Sequence, residues 1–223
     1  MNRWTSTLFL SLSFVLAITA PTQANPILWP IEQGGNGHYY ELVEEPQFWA
    51  EAISASMLRT PPTGYNPGHL ATISGIAENE FLRFTYANNM RVGAWFGFTD
   101  ELIEGEWRWI DNTPGIWQDP DNFAHPIQTA FVNWIPGNEF NPSEPNNHNG
   151  NEDYGLFSFE NAFFPGFWND GVGPNTGNKF AYVVEYEPIP EPSTMVIVGL
   201  LGITLLARKS PGLFRRKKLA GGM

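Results

Sequence analysis

The chain has 223 residues, enough for one domain of moderate size or two small ones with a real core. Aromatics make up 15% and charged residues 16%, with 22 Gly and 19 Pro, which excludes a disordered chain and a helical bundle and favours a loop-rich β or α+β domain. Six of the 12 basic residues lie in the last 16 positions, so residues 25–187 carry 5 basic against 22 acidic groups; such a body repels nucleic acid and suits cation binding. With no cysteine, disulfides, thiolate metal centres and cysteine nucleophiles are excluded.

In chain order, residues 1–24 read as a secretory signal peptide: Arg3, an apolar stretch over 8–18, and the small-residue cleavage site Thr22-Gln23-Ala24. The stretch is shorter than the about 20 apolar residues of an uncleaved anchor. The spacing of Phe48, Ala52, Ala55 and Leu58 predicts a helix over 47–58 with those side chains on one face. A short strand follows over 68–73. Ser74 then opens a second helix, with Glu78 in its first turns and Ala77, Phe81, Leu82 and Phe84 on its apolar side. Strands are expected at 94–98, 106–110 (where Trp107 and Trp109 alternate with polar neighbours), 130–135, 155–159 and 180–186. Between them, 136–151 is an Asn-rich loop. Residues 188–194 form a Pro-rich spacer, 195–207 a short apolar segment containing Gly199 and Gly202, and 208–223 a basic tail. The basic side would stay in the cytoplasm and leave the acidic body outside.

Two resemblances follow from these residues. Pro190-Glu191-Pro192-Ser193-Thr194, the Gly-containing apolar segment and the terminal basic cluster together resemble the PEP-CTERM sorting signal of Gram-negative bacteria. That resemblance implies an exported protein held transiently at the inner membrane and cut near the motif by an exosortase, then left at the cell surface or outside the cell. A permanent single-span anchor is the alternative. In the body, seven landmarks occur in order: Gly37-His38-Tyr39-Tyr40-Glu41-Leu42, Phe48-Trp49-Ala50-Glu51-Ala52, Gly68–Ser74 with Glu78–Leu82, Trp95-Phe96-Gly97-Phe98, Gly105–Trp109, Glu144-Pro145-Asn146 and Trp168-Asn169-Asp170. Residues 25–187 thus resemble a C-type lectin-like domain. The resemblance implies an α+β fold of two helices, short mostly antiparallel strands and a long loop region, here followed by the short C-terminal apolar helix. The family's disulfides are absent, and Tyr154 stands where a cysteine commonly follows the Glu-Asp pair.

Glu144, Asn146, Glu152, Asn169 and Asp170 offer three carboxylates and two amides. A hard cation such as Ca²⁺ takes six to eight such oxygens, whereas a soft metal wants His or Cys. In sugar-binding members of the family these five positions hold one calcium beside a cis proline, and Asp153 would add a contact. The resemblance further implies that two vicinal sugar hydroxyls complete the ion's coordination while Glu144, Asn146, Glu152 and Asn169 bind them directly. Glu-Pro-Asn implies mannose- or glucose-type sugars, with extracellular polysaccharide a natural ligand. For a second calcium, Asn147 stands where a carboxylate would help, leaving Asp119, Asp121 and Asp153 as candidates. His148 reads as a solvated turn residue. Glu101, Glu104 and Glu106 offer the carboxylate pair of a glycosidase but fall in a tight strand connection without a cleft partner. The expectation is therefore non-catalytic, calcium-dependent carbohydrate binding, or alternatively a structural or protein-binding adhesin domain. Calcium should leave in acid, near ordinary carboxylate pKa values of about 4 to 5.

Overall fold

The computed structural model describes residues 25–86, 93–139, 142–158 and 165–190. The expected signal peptide over 1–24, the Glu191–Thr194 end of the expected spacer, and the segments expected as apolar helix and basic tail lie outside the described residues. Among those described, no helix is long and apolar enough to cross a membrane.

The described elements run β1 (Ile27–Leu28), β2 (Tyr39–Gln47), α1 (Trp49–Met57), β3 (His69–Leu70), α2 (Ile76–Tyr86), β4 (Ala94–Thr99), β5 (Glu106–Trp109), β6 (Ile116–Gln118), β7 (Glu152–Phe157), β8 (Trp168–Val172) and β9 (Phe180–Tyr186). β2 pairs antiparallel with β9 from Tyr39↔Tyr186 to Val43↔Tyr182, which ties the two ends of the domain together. β9 then runs parallel to β4, and every other strand pairing is antiparallel. From β4 the sheet branches, one arm passing through β5 to β6 and the other through β7 to β8. The second arm carries the acidic motif residues.

Both faces of β4 are covered. Phe96 and Phe98 join Trp107, Trp109 and Trp168 in one core cluster, with Phe98–Trp109 ring centroids at 4.3 Å and Phe96–Trp168 at 4.8 Å. Trp95 enters a second cluster with Trp49, Leu70 and Tyr154. Tyr154 is fully buried, its ring centroid 4.4 Å from that of Trp49. A buried large side chain contributes about 1.5–3 kcal/mol and a disulfide typically about 2–4 kcal/mol. One or two aromatics in these positions thus offset a missing cross-link. Gly97 is needed where β3 crosses β4, because a Cβ there would lie 2.8 Å from the Leu70 carbonyl oxygen.

The helices differ from the expected faces. α1 buries Trp49, Ala52 and Ser56; Phe48 is its N-cap, and Leu58, 86% exposed, is its C-cap. Ala52 is buried and Ala55 packs against the core as expected, whereas Phe48 and Leu58 fall at the two caps, outside the helical turns. Leu58→Ser is therefore expected to change stability by less than about 0.5 kcal/mol, as for exposed sites generally, in urea unfolding. On α2, Phe84 is exposed and lies under the Arg83 guanidinium, 3.7 Å from its ring centroid, while Glu78, Asn79, Leu82 and Tyr86 are buried. Polar residues replace apolar ones on this face because each has a specific partner. Glu78 accepts from the Ser74 amide at 2.7 Å and the Ser74 hydroxyl at 2.6 Å. Asn79 donates to the Gly166 carbonyl at 2.9 Å and accepts from Trp168 Nε1 at 2.8 Å. Those two bonds fix the start of β8.

The strand expected at 130–135 does not form. Only Trp134 makes a bridge, to Trp168, although Phe131, Val132 and Trp134 pack against the core. The segment meets the free edge of β8 at one point, with Trp168 N donating to Asn133 O at 2.8 Å and Ile135 N to Trp168 O at 2.9 Å. The strand expected at 155–159 begins earlier, at Glu152, and is described only to Phe157 within the sheet.

Candidate functional site

Glu144 inherits its position from this irregular segment, since its amide donates to the Ile135 carbonyl at 2.9 Å. The Glu144–Pro145 peptide bond is cis. Asn147 and Asn149 adopt left-handed backbone angles (φ 43° and 62°), a region that Asn tolerates better than other side chains. Asn147 thereby becomes the hub of the loop. Its amide donates to Asp170 Oδ2 at 2.7 Å, while its own Oδ1 accepts from the Glu152 amide at 3.1 Å. The His148 amide donates to Glu152 Oε2 at 2.9 Å, and the His148 side chain is exposed.

From the opposite side, β8 presents Asn169 and Asp170. Asp170 is fully buried and its Oδ1 has no hydrogen-bond partner. Asn146 Nδ2 donates to Glu144 Oε2 at 2.5 Å, and Asn169 Nδ2 to the Asp170 carbonyl at 2.7 Å. Glu144, Asn146, Asn147 and Asp170 line one cavity of about 580 Å³. Glu152 reaches this group through Asn147, and Asn169 flanks it from the adjacent β8 position. Asp153 is placed elsewhere, next to Glu101 and Glu104, whose charges act on it more strongly than that of Asp170 does.

The electrostatics leave uncompensated negative charge among the described residues. Among the described residues no Lys or Arg forms a salt bridge with Glu144, Glu152 or Asp170. Burial first, then the Asp170 hydrogen bond and charge, and then the Glu152 charge push the Glu144 carboxyl up to about 8. Glu152 and Asp170 are also held above the usual carboxylate range, in each case chiefly by burial. A buried acceptor left unpaired among like charges is costly unless a positive ion completes it. The donor set is all oxygen, which fits a hard cation such as Ca²⁺ rather than a thiophilic metal.

A second acidic group opens into the same cavity: the second-calcium candidates Asp119 and Asp121, Glu104 from the glycosidase-like set, and Asp100, which the sequence did not single out. Asp100 is buried, accepts from the Gly105 amide at 2.8 Å on Oδ2, and has an unpartnered buried Oδ1. Burial, then the charges of Glu104 and Asp153, push Asp100 up to about 7. Asp100, Glu104, Asp119, Asp121 and Asn122 all line the cavity. The glycosidase trio separates here. Glu106 is taken by Arg108 at 2.5 Å and by Gln118 at 2.5 Å, while Glu104 turns to the cavity. The available signal for Asp100 and Glu104 was the turn Asp100–Gly105, which brings the carboxylates at its two ends to the cavity.

No model of a protein family matches the chain. Among curated proteins it is 31% identical over 173 residues to human "C-type lectin domain family 4 member K", covering 74% of this chain and 42% of that relative, so the chain spans about two fifths of the relative's length. Among solved structures, the C-type lectin CEL-I from Cucumaria echinata aligns with a TM-score of 0.52 at 19% identity, covering 76% of this chain and 99% of that one. The cow C-type carbohydrate-recognition domain of CD23, crystallised in the presence of a GlcNAc2Man3 oligosaccharide, aligns with a TM-score of 0.50 at 23% identity, covering 78% and 98%.

Proposed function

Starting from a chain that carries a C-type lectin-like domain, we propose that the cavity binds Ca²⁺ and, through it, carbohydrate, without catalysis. The observation that supports this most directly is the pairing of Glu144 with a buried Asp170 whose Oδ1 is left over, in a carboxylate group that, among the described residues, no Lys or Arg neutralises. In this reading Glu144, Asn146, Glu152, Asn169 and Asp170 hold the ion. When bound, the ion supplies a Lewis-acidic point that accepts two neighbouring sugar hydroxyls in place of water. The chain's own part is to orient them: spare oxygens of Glu144 and Glu152 accept hydroxyl protons, and the NH₂ groups of Asn146 and Asn169 donate to hydroxyl oxygens. Asn147 keeps Asp170 and Glu152 in register. Asp100, Glu104 and Asp153 form a second cation position beside the first.

The sugar class proposed is mannose or glucose type, with extracellular polysaccharide as the polymer. One bridged sugar buries little surface, so useful affinity comes from clustering on a repetitive ligand. The terminal segments complete the proposal: export by the signal peptide, transient retention in a bacterial inner membrane, and exosortase processing that leaves the domain at the cell surface or in the matrix.

A glycan array probed in calcium and again in chelator tests the reading. Binding to mannose- or glucose-terminated glycans is expected in calcium, with loss in chelator and displacement by soluble mannan. Retention that responds to chelator but ignores every soluble glycan would instead favour a protein-binding adhesin whose loop the ion merely stiffens.

A further inference from the structure

A separate group of potential ligands lies away from the calcium cavity and shares no residue with it. His69 opens β3, Asp111 follows β5 and Glu187 follows β9, and one ligand atom from each lies within 4.8 Å of the other two. These are three distant parts of the sequence, brought together by the β3–β9 pairing and by the Ile110 amide donating to the Gly97 carbonyl at 3.0 Å.

The imidazole is oriented for ligation. Its Nδ1 lies 2.9 Å from the Leu70 carbonyl oxygen, which only accepts, so Nδ1 carries the proton and Nε2 the lone pair. Nε2 is buried and has no hydrogen-bond partner. An orphaned buried acceptor is destabilising, and a metal ion bound at the lone pair removes that penalty. Backbone-held Nδ1 with a free Nε2 is also the arrangement that orients most metal-binding histidines.

The carboxylates are held without being used up. Asp111 accepts from the Thr113 amide at 2.9 Å on Oδ1 and from the Thr113 hydroxyl at 2.6 Å on Oδ2, leaving each oxygen a further lone pair. Glu187 is anchored through its main chain, its carbonyl accepting from the Asn66 amide at 2.9 Å, while Pro188 bridges Tyr65 and Ile189 N donates to Gly64 O at 2.9 Å. Among the described residues neither carboxylate forms a salt bridge with a Lys or Arg. Ligands about 2.0–2.2 Å from one ion lie at most about 4.4 Å apart, so the cluster needs only a small closure.

We propose that His69 Nε2, Asp111 and Glu187 bind a single transition divalent cation of the zinc type, fastening the point where the C-terminal segment leaves the sheet. One imidazole with two carboxylates suits zinc, cobalt or nickel better than calcium, which prefers oxygen throughout. Glu187 is the last residue before the Pro-rich spacer, so the ion would join that exit to β3 and to the end of β5.

The test uses the full-length protein in saturating calcium, which occupies the loop carboxylates. Equilibrium dialysis against Zn²⁺ is expected to retain one tightly held zinc per chain. Co²⁺ is expected to give a visible absorption band of a nitrogen-and-oxygen site. His69→Gln and Glu187→Gln should each weaken zinc by at least about 10–100-fold, and His69→Gln should abolish the cobalt band, with calcium binding and far-ultraviolet dichroism unchanged. If His69→Gln does not fold, Asp111→Asn and Glu187→Gln carry the comparison. The proposal is overturned if the parent retains no zinc at micromolar concentrations, or if these variants hold it as the parent does. It is equally overturned if the ion is lost only on Glu185→Gln, which would place it at the His38–Glu185 pair.

Discussion

Asp170→Asn is expected to eliminate the calcium response and glycan binding while leaving the calcium-free domain at least as stable as the parent. The two halves of that result have one cause. Asp170 is buried beside Glu144, its Oδ2 accepting from the Asn147 amide and its Oδ1 without a partner among the described residues other than the proton that the raised Glu144 carboxyl shares with Asp170. An asparagine can keep the first bond with its carbonyl oxygen and offer an NH₂ to Glu144 with the other atom, so repulsion without the ion is replaced by a hydrogen bond. With calcium, the same change removes a charged ligand. Losses of mere supporting groups cost about 10–100-fold in metal affinity, and loss of a buried ligand should cost at least that. Glu144→Gln and Asn146→Asp are expected to reduce sugar binding as well, because each exchanges a donor for an acceptor or the reverse at an atom proposed to face the ligand. Calorimetry of calcium binding, glycan binding and thermal melts in chelator make the measurement. If Asp170→Asn binds calcium with the parent's heat and affinity, the proposed site is wrong.

In chelator, stability is expected to decline as pH rises from about 4.5 towards 8. Glu144 is raised from 4.5 to about 8, and Asp100 from 3.8 to about 7, so each binds its proton more tightly in the folded protein than in the unfolded chain. Such a group contributes its full stabilisation below the unfolded pKa and loses it as pH climbs through the folded one. Calcium reverses the slope, because the ion requires ionised ligands and expels their protons on binding. Calcium affinity should therefore rise from pH 5 to about pH 8, and at neutral pH binding should release protons, visible as a dependence of calorimetric heat on buffer ionisation enthalpy. Calcium would begin to leave on mild acidification from neutrality, well above the range of about 4 to 5 expected of ordinary carboxylates. Flat or rising stability in chelator across this window, together with calcium binding that releases no protons at pH 7, would refute the electrostatic account.

Much of the architecture was legible because its signals are local. The alternation of Trp107 and Trp109 marked β5, the run Phe180–Tyr186 marked β9, and Ser74 with Glu78 marked the entry to α2, since strand pleat and helix turn impose fixed periods on neighbouring side chains. What escaped notice depended on distant partners. β2 contains buried Glu41, which periodicity reads as surface until Arg59 and the Tyr186 hydroxyl arrive to pair with it. Phe131, Val132 and Trp134 have strand-like chemistry, yet the segment meets β8 only at the Trp134–Trp168 bridge and is held mainly by side-chain packing against the core.

For the cavity, the lectin resemblance singled out Glu144, Asn146, Glu152, Asn169 and Asp170, and residue identity adds that their side chains offer only oxygen donors to the proposed cation. Which carboxylates share a space was decided by the folded chain. Pairing of β7 with β8 and the left-handed turn at Asn147 set Asp170 against Glu144, and the β4–β5 connection turned Asp100 and Glu104 towards the same cavity, leaving Asp153 outside its lining beside Glu101 and Glu104. His69, Asp111 and Glu187, scattered over more than a hundred positions, met only through the sheet. Composition determines what charge and which donors are available; burial and proximity, which determine the free energy of that charge, exist only after distant strands have paired.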